Sequence, residues 1–326
     1  MTMTLDTAHA LCAATSAFYA REAASFSATR GTAWPGWRRV ADEARAAVDA
    51  AACAGRAVRV LDVACGNLRF ARFLTEAFPQ VEFEVVALDN CAALLPGDVL
   101  PCAVRFIPVD LMAALETMAA CDPNDFAIAS ARSGACANLS VDADGDAIAP
   151  EFATALPGIE PGTFDLAVSF GFLHHIPLPA WRHVLMRALV GALRPGGVAA
   201  VSCWRFLNSP KLAAKARAIT ARGCAQLHLP PLPEGDFLLG WQDDERAFRY
   251  CHHFSHDEVV ALAADAARAR GGRTHPAAPD LALSYPLAAG TLDGRRAPAV
   301  PAAPRTLTFH ADGCTGDLNA YIVLHA

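Results

Sequence analysis

The sequence predicts an α/β fold built on an open, mostly parallel, doubly wound sheet. Between residues 57 and 204, short apolar runs of strand length alternate with segments of helical periodicity, which is the pattern of strands joined by crossover helices. Aspartates stand at the ends of the first three of these runs, at Asp62, Asp89 and Asp110. We find no internal repeat, so we expect one elaborated domain over residues 1–326.

The composition supports a folded protein with a large core. Of the 326 residues, 54% are hydrophobic and 18% are charged, which excludes a mainly disordered chain and a disulfide-stapled miniprotein. The 27 basic and 33 acidic residues give a net charge of −6. This balance excludes a broad basic surface for nucleic acid, whereas a local basic patch is still compatible with it.

The cysteine content and the length of the apolar runs indicate in which cellular compartment the protein is expected. The 11 cysteines are odd in number and irregularly spaced, and no C-x-x-C pair occurs, which is typical of reduced thiols in the cytoplasm. The N-terminus has no basic segment followed by an apolar run, and no stretch approaches about 20 unbroken apolar residues. We therefore expect a cytoplasmic protein without a signal peptide or a membrane span.

Residues 1–56 are expected to form an N-terminal helical cap. Helical spacing of apolar residues covers 5–24 and 36–53. The link over 26–37 differs from both, because it holds two tryptophans, an arginine and Pro35 at a helix entrance.

The sheet itself is expected within residues 57–204, where short apolar runs read as buried strands. The predicted strands are 57–64, 83–89, 103–110, 164–170 and 198–204. Residues 65–78 are predicted to form a turn followed by a helix, and 179–193 are predicted to form a helix that is stopped by R-P-G-G.

Two long segments interrupt this order. Residues 112–163 form an insertion between the third and fourth strands, and we expect 120–150 to be flexible because its periodicity is weak. Residues 271–305 are rich in Gly, Pro and Ala and are expected to form a loop around an edge strand.

The last third of the chain contributes one further predicted helix and a final strand. The helix covers 255–269, with Ser255 as its N-cap and Glu258 three residues later, which is the spacing of a capping box. The final strand is predicted over 318–325.

The strand ends near residues 62–110 have the chemistry of an adenosyl site. Gly66 follows the first strand, where a glycine lets the backbone approach a ligand, and Asp89 is placed to accept from both ribose hydroxyls. The turn lacks the third glycine of G-x-G-x-x-G, since Leu68 stands there. This favours S-adenosylmethionine over a nicotinamide dinucleotide, whose pyrophosphate needs a clear helix N-terminus. The alternative is that the strand-end acids only cap helices.

These residues resemble the class I S-adenosylmethionine-dependent methyltransferases, which have a Rossmann-like fold. The resemblance covers about 57–204 and rests on L-D-V-A-C-G-N, A-L-D, F-D-L-A-V-S and L-R-P-G-G-V. It implies that 57–204 is a cofactor-binding core and that 205–326 supplies substrate-side elements and the final strands. The residues that it implies for the cofactor are Asp62, Ala64, Gly66, Asn67, Asp89, Asn90, Asp110, Leu111, Ser169 and Phe170.

The flanking segments are similar to a narrower family, the methyltransferases that esterify a carboxymethyl-type group on the wobble uridine of tRNA. The similarity rests on motifs at 18–35, 170–176, 235–254 and 317–323. It implies tRNA as a partner and, as in the eukaryotic members, a small zinc-binding activator protein. The chain departs from this family in two places, because its glycine motif continues N-L-R rather than N-G and its 112–163 insertion is longer.

Methyl transfer to a carboxylate needs no general base, but it needs a cation that orients the carboxylate. Arginine does this with a bidentate fork, whereas lysine offers a point charge. Arg30 and Arg249 lie inside the motif segments and are the leading catalytic candidates. The alternatives are an ion pair that pins the N-terminal helix for Arg30 and a solvated edge-strand position for Arg249.

Histidines and aromatic residues complete the predicted site. His174 and His175 follow the fourth strand, so we expect His174 or His175 to face the substrate. His175 is the natural general base for a hydroxyl or amine acceptor. The motif favours His253 over His252 as a further catalytic residue. The aromatic candidates for stacking on a base or covering the cofactor are Tyr19, Trp34 and Trp241.

We expect no metal ion, because neighbouring residues of the Cys251-His252-His253 run point opposite ways in a strand and no second cluster has ligand spacing.

Two other functions are left open. One is methylation of a small-molecule metabolite, with the insertion as a lid. The other is a non-catalytic binding protein with a methyltransferase fold.

Overall fold

Helices and strands alternate along the chain in a computed structural model that describes residues 2–121, 155–242, 244–269, 306–310 and 318–326. Within these residues the order is α1 (Leu5–Ala28), α2 (Pro35–Cys53), β1 (Val58–Val63), α3 (Arg69–Ala77), β2 (Phe83–Asp89), β3 (Ala103–Pro108), α4 (Leu111–Ala120), β4 (Phe164–Ser169), α5 (Pro179–Ala192), β5 (Leu193–Trp204), α6 (Pro210–Gln226), β6 (Asp236–Trp241), β7 (Asp244–His252), α7 (His256–Ala269), β8 (Thr306–His310) and β9 (Asn319–His325).

Seven strands form the main sheet in the order β3-β2-β1-β4-β5-β9-β8. The first five are parallel, and β9 then pairs antiparallel with both β5 and β8. Strand β1 lies between β2 and β4, so strand order reverses there, which is where open α/β sheets bind ligands. The predicted doubly wound, mostly parallel sheet is confirmed.

Alternate side chains of the strands fill two separate cores, one on each face of the sheet. Leu61 and Val63 of β1 pack with α4, α5 and α7 on one face. Val58 and Val60 of the same strand pack with α2 and α3 on the other. Burial on both faces explains why the parallel strands read as continuous apolar runs rather than as alternating ones.

A hairpin of β6 and β7 stands outside the main sheet. It packs on α1 and α6 through a small core of Leu11, Ile219, Leu238, Phe248 and Tyr250. From the sequence this region is known only by its motifs, and helix α6 is not predicted, because alanine and basic residues make up ten of its 17 residues and leave little apolar periodicity. The hairpin matters for function because it carries Arg249 to the end of the sheet.

Several predicted boundaries were wrong. Helix α1 continues to Ala28 instead of ending at 24, so the link before α2 is shorter than predicted. Strand β5 begins at Leu193 rather than 198, because the predicted R-P-G-G stop forms an irregularity within the β4–β5 ladder. Gly197 lies in this irregular stretch. A side chain would be crowded at this position, because its Cβ would lie 3.0 Å from the backbone oxygen of Phe164.

The two predicted long segments largely lie outside the described residues, which leave out 122–154 and 270–305. The first nine residues of the insertion, 112–120, belong to helix α4, which covers Leu111–Ala120. The predicted capping box is confirmed: the Ser255 N–H donates to Glu258 Oε2 (3.0 Å), and the Glu258 N–H donates to Ser255 Oγ (3.2 Å). None of the helices in the described residues combines the length and apolar character needed to cross a membrane.

Candidate active site

A cavity of about 490 Å³ opens at the carboxyl ends of β1, β2 and β4, beneath helix α1 and the link that follows it. Its walls bring together most of the residues that the sequence indicated. These are Tyr19, Arg30, Trp34, Asp62, Ala64, Gly66, Asn67, Asp89, Asn90, Leu111, Phe170, His174, His175 and Arg249. Four predicted residues do not line it: Asp110, Ser169, Trp241 and His253.

The loop after β1 holds its backbone in the left-handed region at three points. Gly66 has φ +54°, and Ala64 and Leu68, which carry side chains, have φ +59° and +56°. Left-handed backbone costs a residue with a Cβ roughly 1–2 kcal/mol, and such strain clusters at ligand sites. A Cβ on Gly66 would meet no atom within 4 Å, so the loop presents open space to the cavity.

Asp62 and Asp89 set the charge of this end of the cavity. Asp62 is buried, and its Oδ2 has no hydrogen-bond partner among the described residues. Burial, and then the neighbouring Asp89, raise the pKa of Asp62 to about 7. Asp89 accepts from the N–H of Gly66 (2.9 Å) and of Cys91 (2.8 Å), and burial raises its pKa despite these bonds. An unpartnered buried carboxylate fits a cationic or hydrogen-bond-donating ligand.

Asp110 has a different role from the one predicted for it. Its Oδ1 accepts from the N–H groups of Met112 (3.0 Å) and Ala113 (3.1 Å), which makes it the N-cap of α4. The alternative of a helix-capping acid is therefore the one that the structure shows at this position, and the cavity contacts Leu111 and Met112 instead. Ser169 lies fully buried at the end of β4, behind the cavity wall.

Tyr19 and His175, which also line the cavity, form a hydrogen-bond chain to the hairpin. His175 Nδ1 lies 2.5 Å from the carbonyl oxygen of Tyr250, and its Nε2 lies 2.9 Å from the Tyr19 hydroxyl. Burial lowers the pKa of His175 to about 3, so its ring is neutral near pH 7. Burial also raises the pKa of Tyr19 to about 12.

Arg249 enters the cavity from β7 without a compensating charge. The residue is 6% exposed, and its Nη1 has no hydrogen-bond partner among the described residues. Its guanidinium instead lies over aromatic rings, 4.9 Å from the centroid of Phe18 and 5.5 Å from that of Trp241. A buried cation without a carboxylate is costly, and the solvated edge-strand alternative does not hold for it.

Arg30 stands beside Arg249 on the link after α1. Its guanidinium lies 3.5 Å from the centroid of Phe26, and Arg249 lies 5.8 Å from the same ring. Burial lowers the pKa of Arg30 to about 10, and Arg249 adds to this effect by repulsion. Within the described residues, its side chain donates a hydrogen bond to Thr29 Oγ1 (2.9 Å). The pair thus forms a positive end of the cavity, opposite the two aspartates.

Trp241 supports this positive end from behind. Its Nε1 donates to Ser25 Oγ (2.9 Å), and its ring lies 5.2 Å from Phe26. The tryptophan therefore packs against the arginine pair and is not placed to stack on a ligand in the cavity.

His174 lines the cavity as a neutral ring. It lies 4.3 Å from His175 and 5.3 Å from Trp204, measured between ring centroids. Burial, followed by repulsion from His175 and Arg249, lowers its pKa well below the ordinary value.

The paired histidines at the end of β7, His252 and the following His253, are not part of the cavity lining. His253 Nδ1 accepts from the N–H of Leu207 (3.2 Å), so this predicted catalytic residue holds the chain after β5. His252 is buried, with Nδ1 2.6 Å from Asp236 Oδ1 and Nε2 2.9 Å from Glu258 Oε1.

Asp236 is the centre of a buried polar network behind His175. Besides His252, it accepts from the Tyr250 hydroxyl (2.6 Å), and Arg182 lies 3.8 Å away. Arg182 in turn donates to the Tyr250 hydroxyl (3.1 Å). The motif at 235–254 is thus explained largely as structure, because Asp236, Tyr250 and His252 fix the strand that carries Arg249.

Replacing Asp236 with alanine is expected to destabilise the fold by about 3 kcal/mol or more, because it leaves buried partners of Asp236 uncompensated. Chemical denaturation measures this. Glu245→Ala, an exposed change on the same hairpin, is the control and should alter the free energy of unfolding by less than about 0.5 kcal/mol. Equal, small effects from both variants would contradict the network.

One group in the described residues has ligand atoms close enough to suggest a metal ion. The atoms belong to His174, His175 and Cys251, and all lie within 4.8 Å of one another. The donor set does not fit a metal, because both nitrogens of His175 already have partners. Burial also raises the pKa of the Cys251 thiol to about 12, which disfavours the thiolate that a metal requires.

The cavity also contains residues that the sequence analysis did not assign to a site. They are Cys12, Thr15, Ser16, Phe26, Ser27, Thr29, Thr32, Trp37, Cys65, Arg69, Phe70, Cys91, Leu94, Met112, Gly171, Phe172, Trp204 and Asn319. Nine of them could have been found, because they lie in one of the motifs or at a predicted strand end: Phe26, Ser27, Thr29, Thr32, Cys65, Gly171, Phe172, Trp204 and Asn319. The other nine lie outside these motifs and reach the cavity only through packing.

No protein-family model matches the sequence, and no curated protein matches it either. Solved structures with a similar fold include an S-adenosylmethionine-dependent methyltransferase from Methanosarcina mazei. It is 14% identical, with a TM-score of 0.43, and the match covers 82% of this chain and 92% of that one.

Two others have a bound partner or substrate. One is the 1,6-didemethyltoxoflavin-N1-methyltransferase of Burkholderia thailandensis with 1,6-didemethyltoxoflavin and S-adenosylhomocysteine (14% identity, TM-score 0.41, 100% of this chain and 90% of that one). The other is a putative methyltransferase in complex with the Haloferax volcanii Trm112 activator (12%, 0.39, 95% and 97%). These scores are too low to carry chemistry from those proteins to this chain.

Proposed function

We propose that this chain is an S-adenosylmethionine-dependent methyltransferase whose acceptor is a carboxylate, carried by a modified wobble uridine of tRNA. The observation that carries the proposal is the pair of cavity arginines, Arg30 and Arg249, which have no carboxylate partner among the described residues. The acidic end of the cavity supports the cofactor, and the positive end supports the acceptor.

The acidic end fits the cofactor residue by residue. Asp62 offers an unpartnered buried oxygen to the ammonium group of the methionine part. Asp89 keeps lone pairs for ribose hydroxyls. Gly66 lines the cavity, and no atom lies within 4 Å of where its Cβ would stand, so the loop leaves room for the cofactor. When bound, the cofactor supplies a methyl group made electrophilic by a sulfonium cation.

The groups at the positive end favour an acceptor that arrives already ionised. A hydroxyl or amine acceptor needs a base, but His175 Nε2 is held by Tyr19, and burial lowers the pKa of His175 to about 3. His174 is held neutral in the same way. A carboxylate is ionised near neutral pH and needs no proton removed. We therefore discard the general-base role for His175.

Arg30 and Arg249 supply what such an acceptor needs. Each guanidinium can give two parallel N–H donors to a carboxylate, which fixes its orientation. A carboxylate between them also relieves the mutual repulsion that lowers the pKa of Arg30. Because in-line displacement depends on alignment, this positioning is the main catalytic contribution of the chain.

The tRNA part of the proposal rests on how the motif segments converge. Tyr19 and Arg30 come from the first, His174 and His175 from the second, Arg249 from the third and Asn319 from the fourth, and all of them line one cavity. The same resemblance implies a small activator protein as a partner.

A small-molecule acid is the second candidate. The cavity volume of about 490 Å³ falls in the range of small-molecule sites, and the net charge of −6 does not draw a polyanion towards the chain.

Incubating the purified protein with methyl-labelled cofactor and total tRNA, with and without the activator, tests the proposal. We expect label in tRNA that ribonuclease makes acid-soluble and that mild alkali releases as methanol, since esters are alkali-labile. Nucleoside mass spectrometry then identifies the uridine. Label in a tRNA-free metabolite fraction would favour the small acid. Alkali-stable label would contradict a carboxylate acceptor.

A further inference from the structure

The hydrogen-bond chain through His175 fixes the direction of the Tyr19 hydroxyl. The Tyr250 carbonyl oxygen can only accept, so His175 Nδ1 (2.5 Å) carries the ring proton. In the neutral ring Nε2 is then an acceptor, and the Tyr19 hydroxyl, 2.9 Å away, donates to it. The single proton of Tyr19 is thereby committed to His175, and its oxygen is available to the cavity only as an acceptor.

Tyr19 stands where the two ends of the cavity meet. Its backbone carbonyl lies 3.7 Å from the thiol of Cys91, which follows the ribose candidate Asp89. Its ring lies 5.0 Å from Phe26, which lies against the Arg30 guanidinium. Tyr19 therefore lies between residues of the acidic end and residues of the positive end.

An oxygen that can only accept does not suit a carboxylate, which also only accepts. It suits a cation or a polarised C–H group, with which oxygen forms weak hydrogen bonds. In a methyltransferase the transferable methyl group is both polarised and attached to a positive sulfur.

We propose that Tyr19 is a cofactor-positioning residue whose hydroxyl oxygen accepts from the C–H groups of the transferable methyl, and that His175 is the residue that holds this hydroxyl in place. The inference rests on the proposed function. It gives His175 a role that needs no proton transfer, and it links Tyr19 through Tyr250 to the Asp236 network of the hairpin.

Comparing the affinities of S-adenosylmethionine and S-adenosylhomocysteine by calorimetry tests this, because only the first has the methyl group and its charge. We expect Tyr19→Phe to weaken binding of S-adenosylmethionine about fivefold and to change that of S-adenosylhomocysteine less than twofold. Tyr321→Phe, the same change at a buried tyrosine outside the cavity lining, should leave the ratio unchanged.

A double-mutant cycle separates positioning from a merely structural role. His175→Ala should lower the same affinity ratio, and in the Tyr19→Phe background it should lower it no further. His175→Gln, which can donate and accept, should restore part of the ratio and covers the case in which the alanine variant does not fold. Equal losses for both ligands in Tyr19→Phe would overturn the inference. Failure of the wild type to bind either ligand would instead overturn the proposed function.

Discussion

Replacing Arg249 with methionine is expected to lower kcat/KM about 100-fold or more, on the order of 3 kcal/mol of transition-state stabilisation, while affinity for S-adenosylmethionine stays within about twofold. Methionine keeps the length of the side chain and removes the charge that aligns the acceptor. The ligand-free protein should be as stable as the wild type or more so, because the substitution removes a buried cation without a carboxylate partner. Single-turnover methyl transfer, calorimetry and thermal unfolding measure the three quantities.

Lysine variants of the two cavity arginines, with a surface arginine as the control, test whether the acceptor is held by a bidentate fork. Arg249→Lys and Arg30→Lys should each remain at least tenfold slower than the wild type, because a point charge does not reproduce the bidentate fork. Arg30→Ala should lose methyl transfer and keep cofactor binding. Arg246→Met, an exposed change on the same strand, should leave all three quantities unchanged. Full activity in Arg249→Met would contradict a carboxylate held by this residue.

The core of the fold could be predicted from the sequence because local patterns and tertiary structure agree there. Strands β1 and β2 are buried on both faces, so their apolar runs are unambiguous. Asp62 and Asp89 lie at the carboxyl ends of these strands, where the parallel order of the sheet brings them together regardless of side-chain detail.

The rest depended on contacts that no local pattern encodes. Asp110 looks like Asp89 in the sequence, but its side chain is taken by the N–H groups of α4. His253 and Trp241 belong to motif segments, yet they hold Leu207 and Ser25. A motif marks which residues belong together, and only the packing shows which of them reach the ligand.

Asp62→Asn is expected to raise the stability of the ligand-free protein and to weaken cofactor binding at least 100-fold at pH 8. Burial raises the pKa of Asp62 to about 7 in the fold, above its value in the unfolded chain. The protonated carboxyl is therefore favoured by folding, and this contribution is complete below about pH 4 and is lost as the pH rises to 7. At pH 8 the asparagine variant avoids the buried charge and should gain about 2 kcal/mol in thermal or chemical unfolding.

Binding should respond to pH in the opposite direction. The cofactor's ammonium group needs the ionised carboxylate, so wild-type affinity for S-adenosylmethionine should rise with pH and level off above about 7, with a slope approaching tenfold per unit below it. Asp62→Asn should bind at least 100-fold more weakly at pH 8 and show no such slope. Asp42→Asn, an exposed change on α2, controls for the lost charge.

The two responses together separate a ligand site from a structural acid. A structural carboxylate would have partners in the fold, and its removal would lower stability and affinity alike. Asp62 has no partner for Oδ2 among the described residues, so its ionised form is unfavourable until a cation arrives. Stability and affinity should therefore move in opposite directions in Asp62→Asn. A variant that lost both, or one that bound the cofactor as the wild type does at pH 8, would remove Asp62 from the cofactor site.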